Sequence, residues 1–335
     1  QSLCRNLWND GTRLDGRDLI RLKVVEDIVY NEREFLQSFN ERCQARKFPI
    51  TIKIDEAPDL HTLRLGDMKI IDFVKQSPFS KHIVIETDNL VQQVPGVFIK
   101  KWFNELPFFH FKPAKPGVKR LQKKFMLFVG NHRWPRFLLG EFLHSGHREE
   151  SYITYWHKYV PSDSITDHLT VKRIDRFRKC LPLYVNSNEN IKRHSDGYIN
   201  FTDTNALVEF YQKGFLDCVC ETWHSGDTFL PTEKIARPLA LKNPFIVFGP
   251  RHFLMNLRRM GFKTFNNYWS EEYDNHEGIE RINLIKKQLV SISEKTLDEL
   301  KTLQNDMGGI LDHNQKLYQN ITLDSINTEF SSRLT

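Results

Sequence analysis

Short apolar runs recur along the chain, with stretches of helical spacing between them. In the first third, KFPITIKIDEA (47–57) and KHIVIETDN (81–89) read as strands ending in acidic loops, and GVFIKKWF (96–103) is a third candidate. IVYNEREFLQSFNERCQ (28–44) has the spacing of a helix. From residue 124 the alternation sharpens: KFMLFVG, SYITYW, FLDCVCET, PFIVFG and FKTF (262–265) read as strands. WPRFLLGEFLHSG, PTEKIARPLAL and RHFLMNLRRM read as the helices between them, and further helices cover 278–318. IDRFRKCLPLYV (174–185) falls in a less regular region. Continuous apolar strands, as opposed to alternating ones, are buried on both faces and mark parallel sheets, and their alternation with helices marks an α/β fold. The pattern predicts two Rossmann-like domains facing each other across a cleft. The dinucleotide fingerprint GxGxxG is absent from the sequence.

FKPAKPGVKRLQKK (111–124) interrupts this pattern with two prolines and a glycine, which exclude a continuous helix. Six of its residues are basic, and it reads as a linker or as a solvated surface loop.

Ligands of doubly wound sheets bind at the carboxyl ends of the strands. Four polar clusters fall there: GNHRWPR, ETWHSGDT, GPRH and, in the first half, ETDN. TFLPTEKIARPLALKNPFIVFGP (228–250) places Thr232 as the N-cap of a helix, with Glu233 and Lys234 in its first turn and Arg237 about one turn from Lys234. Open N–H groups at such an end attract phosphate, Lys234 adds a full charge, and Glu233 can accept hydrogen bonds from a ribose diol. An ordinary capped helix with solvated charges is the plainer reading of the same letters. Arg133 and Arg136, just past a strand that ends in glycine, supply the fork geometry that phosphate takes. No D-x-D pair occurs, so a metal-clamped sugar-nucleotide site is not expected and no metal ligand is assigned.

The segment CETWHSGDT to YWSEEYDN resembles a family of glycosyltransferases found in phages, giant viruses and bacteria. The likeness is carried by Glu221-Thr222, Phe229-Leu230, Glu233-Lys234, Pro238, Pro244-Phe245-Ile246, Gly249, Leu254 with Leu257, Gly261 to Phe265 and Tyr273-Asp274. FMLFVGNHRWPRFLLGEFL with YITYW looks like the same family's first strand–helix–strand unit, and the likeness spans roughly 123–285. The Thr-Glu-Lys turn is also similar to the donor motif of α1,3-fucosyltransferases. One departure is Ile235, where the family has Thr. The resemblance implies a GT-B fold: an acceptor-side α/β domain (1–111), the linker (112–122), a nucleotide-sugar domain (123–285), and C-terminal helices (286–335) returning toward the first domain. It implies a metal-independent transfer from a nucleotide-diphosphate sugar, a donor substrate and not a cofactor. Arg133, Arg136 and Lys234 would face the diphosphate, Glu233 the ribose, and Glu221 the sugar or base. The catalytic base would come from the first half, with Glu86 and Asp88 as candidates, Asp55 behind them and His110 unranked.

Net charge is +6, which suits a polyanionic partner. Five scattered cysteines read as reduced thiols, Cys218 and Cys220 being core residues of one strand, and this points to the cytoplasm, the host's if the protein is viral. No apolar run reaches the roughly 18 residues of a membrane span. QSLCRNLWND holds no signal-peptide core, though a segment upstream of Gln1 could have been removed. The acceptor leans toward a hydroxymethylated base in phage DNA, with a surface glycan or glycoprotein as the alternative. A rival of another class is a non-catalytic nucleic-acid-binding protein that stacks bases on Trp102, Phe103, Phe108 and Phe109.

Overall fold

The computed structural model describes residues 19–25, 28–54, 58–101, 108, 118–130, 133–155, 168–183 and 204–326. It is a mixed α/β chain with parallel sheets, compatible with a Rossmann-like α/β fold. Its contacts form two compact units: Gln1–Asp88 with Gln93–Trp102, and Asn89–Gln92 with Phe103–Thr335.

The first unit begins with β1 (Leu19–Leu22) and the hairpin of β2 (Val24–Val25) and β3 (Ile28–Val29), followed by α1 (Glu32–Gln44) and β4 (Ile50–Ile54). A second hairpin, β5 (Arg64–Leu65) with β6 (Met68–Lys69), leads into α2 (Ile70–Gln76), β7 (Ile83–Thr87) and β8 (Phe98–Lys101). The sheet runs β1-β4-β7-β8, all parallel, with Leu19 opposite Thr51, Ile50 opposite Ile83 and Val84 opposite Phe98. Strand order follows sequence order, so every crossover moves the same way. Isoleucines 20, 50, 52, 54, 83 and 85 form the core with Phe35, Phe39 and Val74. The helix expected from residue 28 begins at Glu32 instead. Ile28–Val29 pairs as a strand with Val24–Val25, and the Asn31 side chain ties the corner by accepting from Lys23 N at 2.8 Å and donating to Arg21 O at 2.9 Å.

The second unit opens with β9 (Lys123–Val129), α3 (Trp134–Gly146), β10 (Ser151–Tyr155) and α4 (Val171–Lys179). α5 (Thr204–Lys213), β11 (Gly214–Cys220), α6 (Glu233–Leu241), β12 (Phe245–Phe248) and α7 (Phe253–Arg259) follow. α8 (Gly278–Ser293), α9 (Leu297–Asp306) and α10 (Gly308–Asn320) come last. The sheet order is β10-β9-β11-β12, again all parallel. Every residue of β11 is buried, which is why it reads as an apolar run despite Asp217.

α8 packs on α3, α9 on β9 and β11, and α10 on α6. Residues 118–122, the described end of the basic linker segment, are held by the second unit: Arg120 N donates to Gln212 O at 2.8 Å and Gln122 N to Lys213 O at 2.7 Å. Residues 112–117 lie outside the described residues.

Two local expectations are corrected. Phe262–Phe265 does not form a strand, because Asn314 of α10 satisfies the backbone of Lys263, accepting from its N–H and donating to its carbonyl, each at 2.8 Å. The region expected to be irregular holds α4, capped by the Thr170 hydroxyl, which accepts from Arg173 N at 3.4 Å.

Candidate functional site

β9 and β11 are neighbours, but the chain leaves them in opposite directions, from β9 through α3 to β10 and from β11 through α6 to β12. Such a switch point opens a crevice beyond the carboxyl ends of the two strands. The residues past those ends are Arg133, Trp134 and Arg136 on one side, and Glu221 to His224 with the start of α6 on the other.

Thr232 caps α6 as the sequence suggests, its hydroxyl accepting from Lys234 N at 3.3 Å. Most of the open N–H groups expected at this helix end are taken up within the chain, however. The buried Glu221 carboxylate takes the Thr232 hydroxyl at 2.5 Å and the N–H groups of Thr232 and Ile235 at 3.3 Å each. A carboxyl group belonging to the chain therefore fills the place a phosphate was expected to take. Burial raises the Glu221 carboxyl above the usual carboxylate range, against the pull of Lys234 and of Thr232.

What faces outward is a pair of opposite charges. Lys234 Nζ lies 2.7 Å from Glu233 Oε1, 3.2 Å from the Thr222 hydroxyl and 3.3 Å from that of Thr232. The side chains of Lys234 and Glu233 keep 19% and 31% of their surface accessible. Burial works to raise the Glu233 carboxyl, but Lys234 and Arg237 outweigh it and hold it at about 2. Glu233 is thus an anion and a pure acceptor at neutral pH.

The other two cations of the group are buried. Arg136, on α3, donates to the carbonyls of Cys220 at 3.3 Å and Glu221 at 2.8 Å, joining the start of α3 to the end of β11. Arg237 lies 3.8 Å from Glu233 and is close enough to Tyr211 and Asp217 to act on both, and the Tyr211 hydroxyl donates to the buried Asp217. Burial raises Asp217 to about 7, against the Tyr211 hydrogen bond and the Arg237 charge.

His224 lies with its ring 5.8 Å from Trp134 and 6.2 Å from Phe248. Burial pulls its imidazole down to about 4, and the charges of Arg133 and Arg136 push the same way, so it is neutral at physiological pH. Neither His224 nor the Asp217–Tyr211 pair was singled out from the letters. The only signal was the polar cluster ETWHSGDT that His224 shares with Glu221.

Six residues expected at the donor site, Arg136, Glu221, Thr232, Glu233, Lys234 and Arg237, are brought together here, and Arg133 is near enough to influence both Arg136 and His224. The acids expected from the first half lie in the other unit. Asp88 pairs with Lys53 at 2.8 Å, and Glu86, within β7, lies 3.4 Å from Lys100. Asp88 keeps 15% of its side chain accessible and Glu86 1%. Asp55 and His110 lie outside the described residues, as do Trp102, Phe103 and Phe109. Phe108 is buried against Tyr318, ring centroids 5.3 Å apart, and is not offered to a base.

Among the described residues, no group of three or more His, Cys, Asp or Glu side chains is arranged to hold a metal ion, and no helix is long and apolar enough to cross a membrane. Comparison with family models, curated proteins and solved structures finds no match to this chain.

Proposed function

We propose that the second unit binds a nucleotide-diphosphate sugar at its switch point and that the protein is a GT-B glycosyltransferase of the kind its sequence resembles. The observation that carries this reading is the Glu233–Lys234 pair, two part-exposed charges of opposite sign held side by side beyond β11. Lys234 is a donor for a phosphate oxygen, and Glu233 is an ionised acceptor for ribose hydroxyls. Because Glu221 occupies the helix end, the diphosphate would be met by the side chains of Lys234 and Arg133, not by backbone N–H groups. Arg136 and Arg237 would act from beneath, holding Glu221 and Glu233 in place.

Transfer leaves a nucleoside diphosphate, whose developing charge has to be neutralised. Lys234 and Arg133 can do this, so the reaction is proposed to need no metal. The acceptor is a hydroxyl, and duplex DNA with hydroxymethylated bases is the first to try, a surface glycan the second. A screen of nucleotide-diphosphate sugars with free nucleotide as readout tests the reading. Release from one donor, undiminished in excess chelator, is expected. Activity lost to chelator and restored by manganese would overturn the metal-free mechanism. The absence of both release and thermal stabilisation with every donor would overturn the reading altogether.

A further inference from the structure

Within the described part of the basic segment, Lys119, Lys123 and Lys124 are engaged within the fold. Lys119 is half-buried, its ammonium donating to Tyr211 O at 2.6 Å and to the Asn243 side chain. Lys124 pairs with Glu150 and donates to Ser293 O, both at 2.5 Å, and Lys123 donates to Glu149 O. Among the described residues, α4, VKRIDRFRK, carries a dense basic run on the surface.

α4 turns Ile174 and Phe177 inward, the Phe177 ring lying 5.0 Å from Phe137 and 5.6 Å from Tyr155. Arg173 is neutralised by the buried Glu141, which accepts from it at 2.9 and 2.6 Å. Lys172, Arg176, Arg178 and Lys179 remain exposed, opposed within the helix by Asp175 alone. Lys172, Arg176 and Lys179 stand four and three residues apart, so they share one side of the helix over about 10 Å.

We propose that this face of α4 is a docking surface for the phosphate backbone of duplex DNA. Its charge is complementary to a row of phosphates. A bilayer would be met by apolar side chains on the outer face of such a helix, but Ile174 and Phe177 are used inside and only Val171, at the first position, is exposed. A single strand would be met by stacking aromatics, and the one aromatic of α4 is buried. No Ser, Thr, Asn, Gln or Tyr stands on the helix to meet a ribose 2′-hydroxyl. The surface borders the switch point, since His168, just before the α4 cap, has its ring 5.7 Å from Trp134. The proposal does not rest on the nucleotide-sugar reading: DNA binding without donor binding would keep this one and remove the other.

The test is anisotropy of a labelled 25-base-pair DNA duplex titrated with the full chain over a range of salt. Each neutralised phosphate contributes about 0.9 to the slope of log K against log salt. Lys172→Gln/Arg176→Gln/Lys179→Gln should reduce that slope by about 2.7, and Arg176→Gln alone by about 0.9. Three such contacts make binding about 40-fold weaker in 200 mM than in 50 mM salt. The control Lys287→Gln/Lys295→Gln/Lys301→Gln removes three exposed charges of the same unit elsewhere and should leave the slope unchanged. The proposal is overturned if the control loses as much as the α4 triple, or if neither changes binding. It is also overturned if anionic phosphatidylserine vesicles, duplex RNA or polyglutamate compete as well as duplex DNA does.

Discussion

Thr232 starts a helix whose end is closed by Glu221, 11 residues earlier: the Thr232 hydroxyl donates to Glu221 Oε2 at 2.5 Å and its N–H to Oε1 at 3.3 Å. The first-turn donors of α6 thus depend on a carboxylate at the end of β11. Glu221→Ala would leave them buried without an acceptor. At about 1–3 kcal/mol for each orphaned group, a loss of about 3 kcal/mol is expected, seen as a lower urea midpoint at unchanged slope. Glu221→Gln keeps one acceptor oxygen and should lose less.

Arg136 is tied to the backbone of the adjacent strand end, so its removal should act on folding. Arg136→Ala strips two buried carbonyls, those of Cys220 and Glu221, of a charged donor. A loss of about 2–4 kcal/mol is expected from hydrogen bonds of that kind, measured by thermal or urea unfolding. Both bonds come from one guanidinium nitrogen, so Arg136→Lys, whose ammonium keeps a charged donor on a shorter stem, should recover part of it.

Lys234→Ala tests the proposed donor site. A charge-assisted bond to phosphate contributes about 1.5–3 kcal/mol, so nucleoside diphosphate should bind about tenfold to a hundredfold more weakly by calorimetric titration. Glu233→Ala should weaken the nucleotide but spare inorganic pyrophosphate, which has no ribose. Unchanged affinity in Lys234→Ala at an unchanged Tm would make α6 an ordinary capped helix.

His224 gives a pH dependence of definite sign. Its imidazole titrates near 6.5 when unfolded and at about 4 when folded, so between these values the unfolded chain binds more protons. Stability contributed by His224 therefore rises with pH across this window and is lost as pH falls from 6.5 toward 4. His224→Gln should lose less Tm than the parent on going from pH 7 to about 4.5, in a melting series at constant ionic strength. An equal loss would mean that the imidazole titrates alike folded and unfolded.

The strands were legible because a parallel strand covered on both faces leaves an unbroken apolar record, as KFMLFV and FIVF do. The cap at Thr232 was legible because capping is local, a matter of two residues. What failed to show was distant or hidden. FKTF has the letters of a strand, and only Asn314, 51 residues away, draws its backbone into a loop. Nothing in WPRFLLGEFL distinguishes an arginine that reaches solvent from one folded under a strand end. The letters around Glu221 suit a ligand contact and carry no hint that it faces the chain's own N–H groups. Asp217 lay unremarked inside an apolar run, because the Tyr211 hydroxyl and Arg237 that accompany it come from other elements.

The second unit is assembled from two separate stretches of chain. Asn89 accepts from Phe229 N at 3.0 Å and donates to Asp227 O at 2.9 Å, while Leu90 N donates to Phe229 O at 3.1 Å. The loop 227–229, which leads into α6, is completed by residues that precede the unit's main stretch in sequence. A shortened protein starting at Phe103 would carry the whole sheet and every helix around it, yet would leave that loop with unmatched polar groups next to the Thr-Glu-Lys turn. The smallest self-sufficient piece of the second unit is therefore not a contiguous segment of the chain.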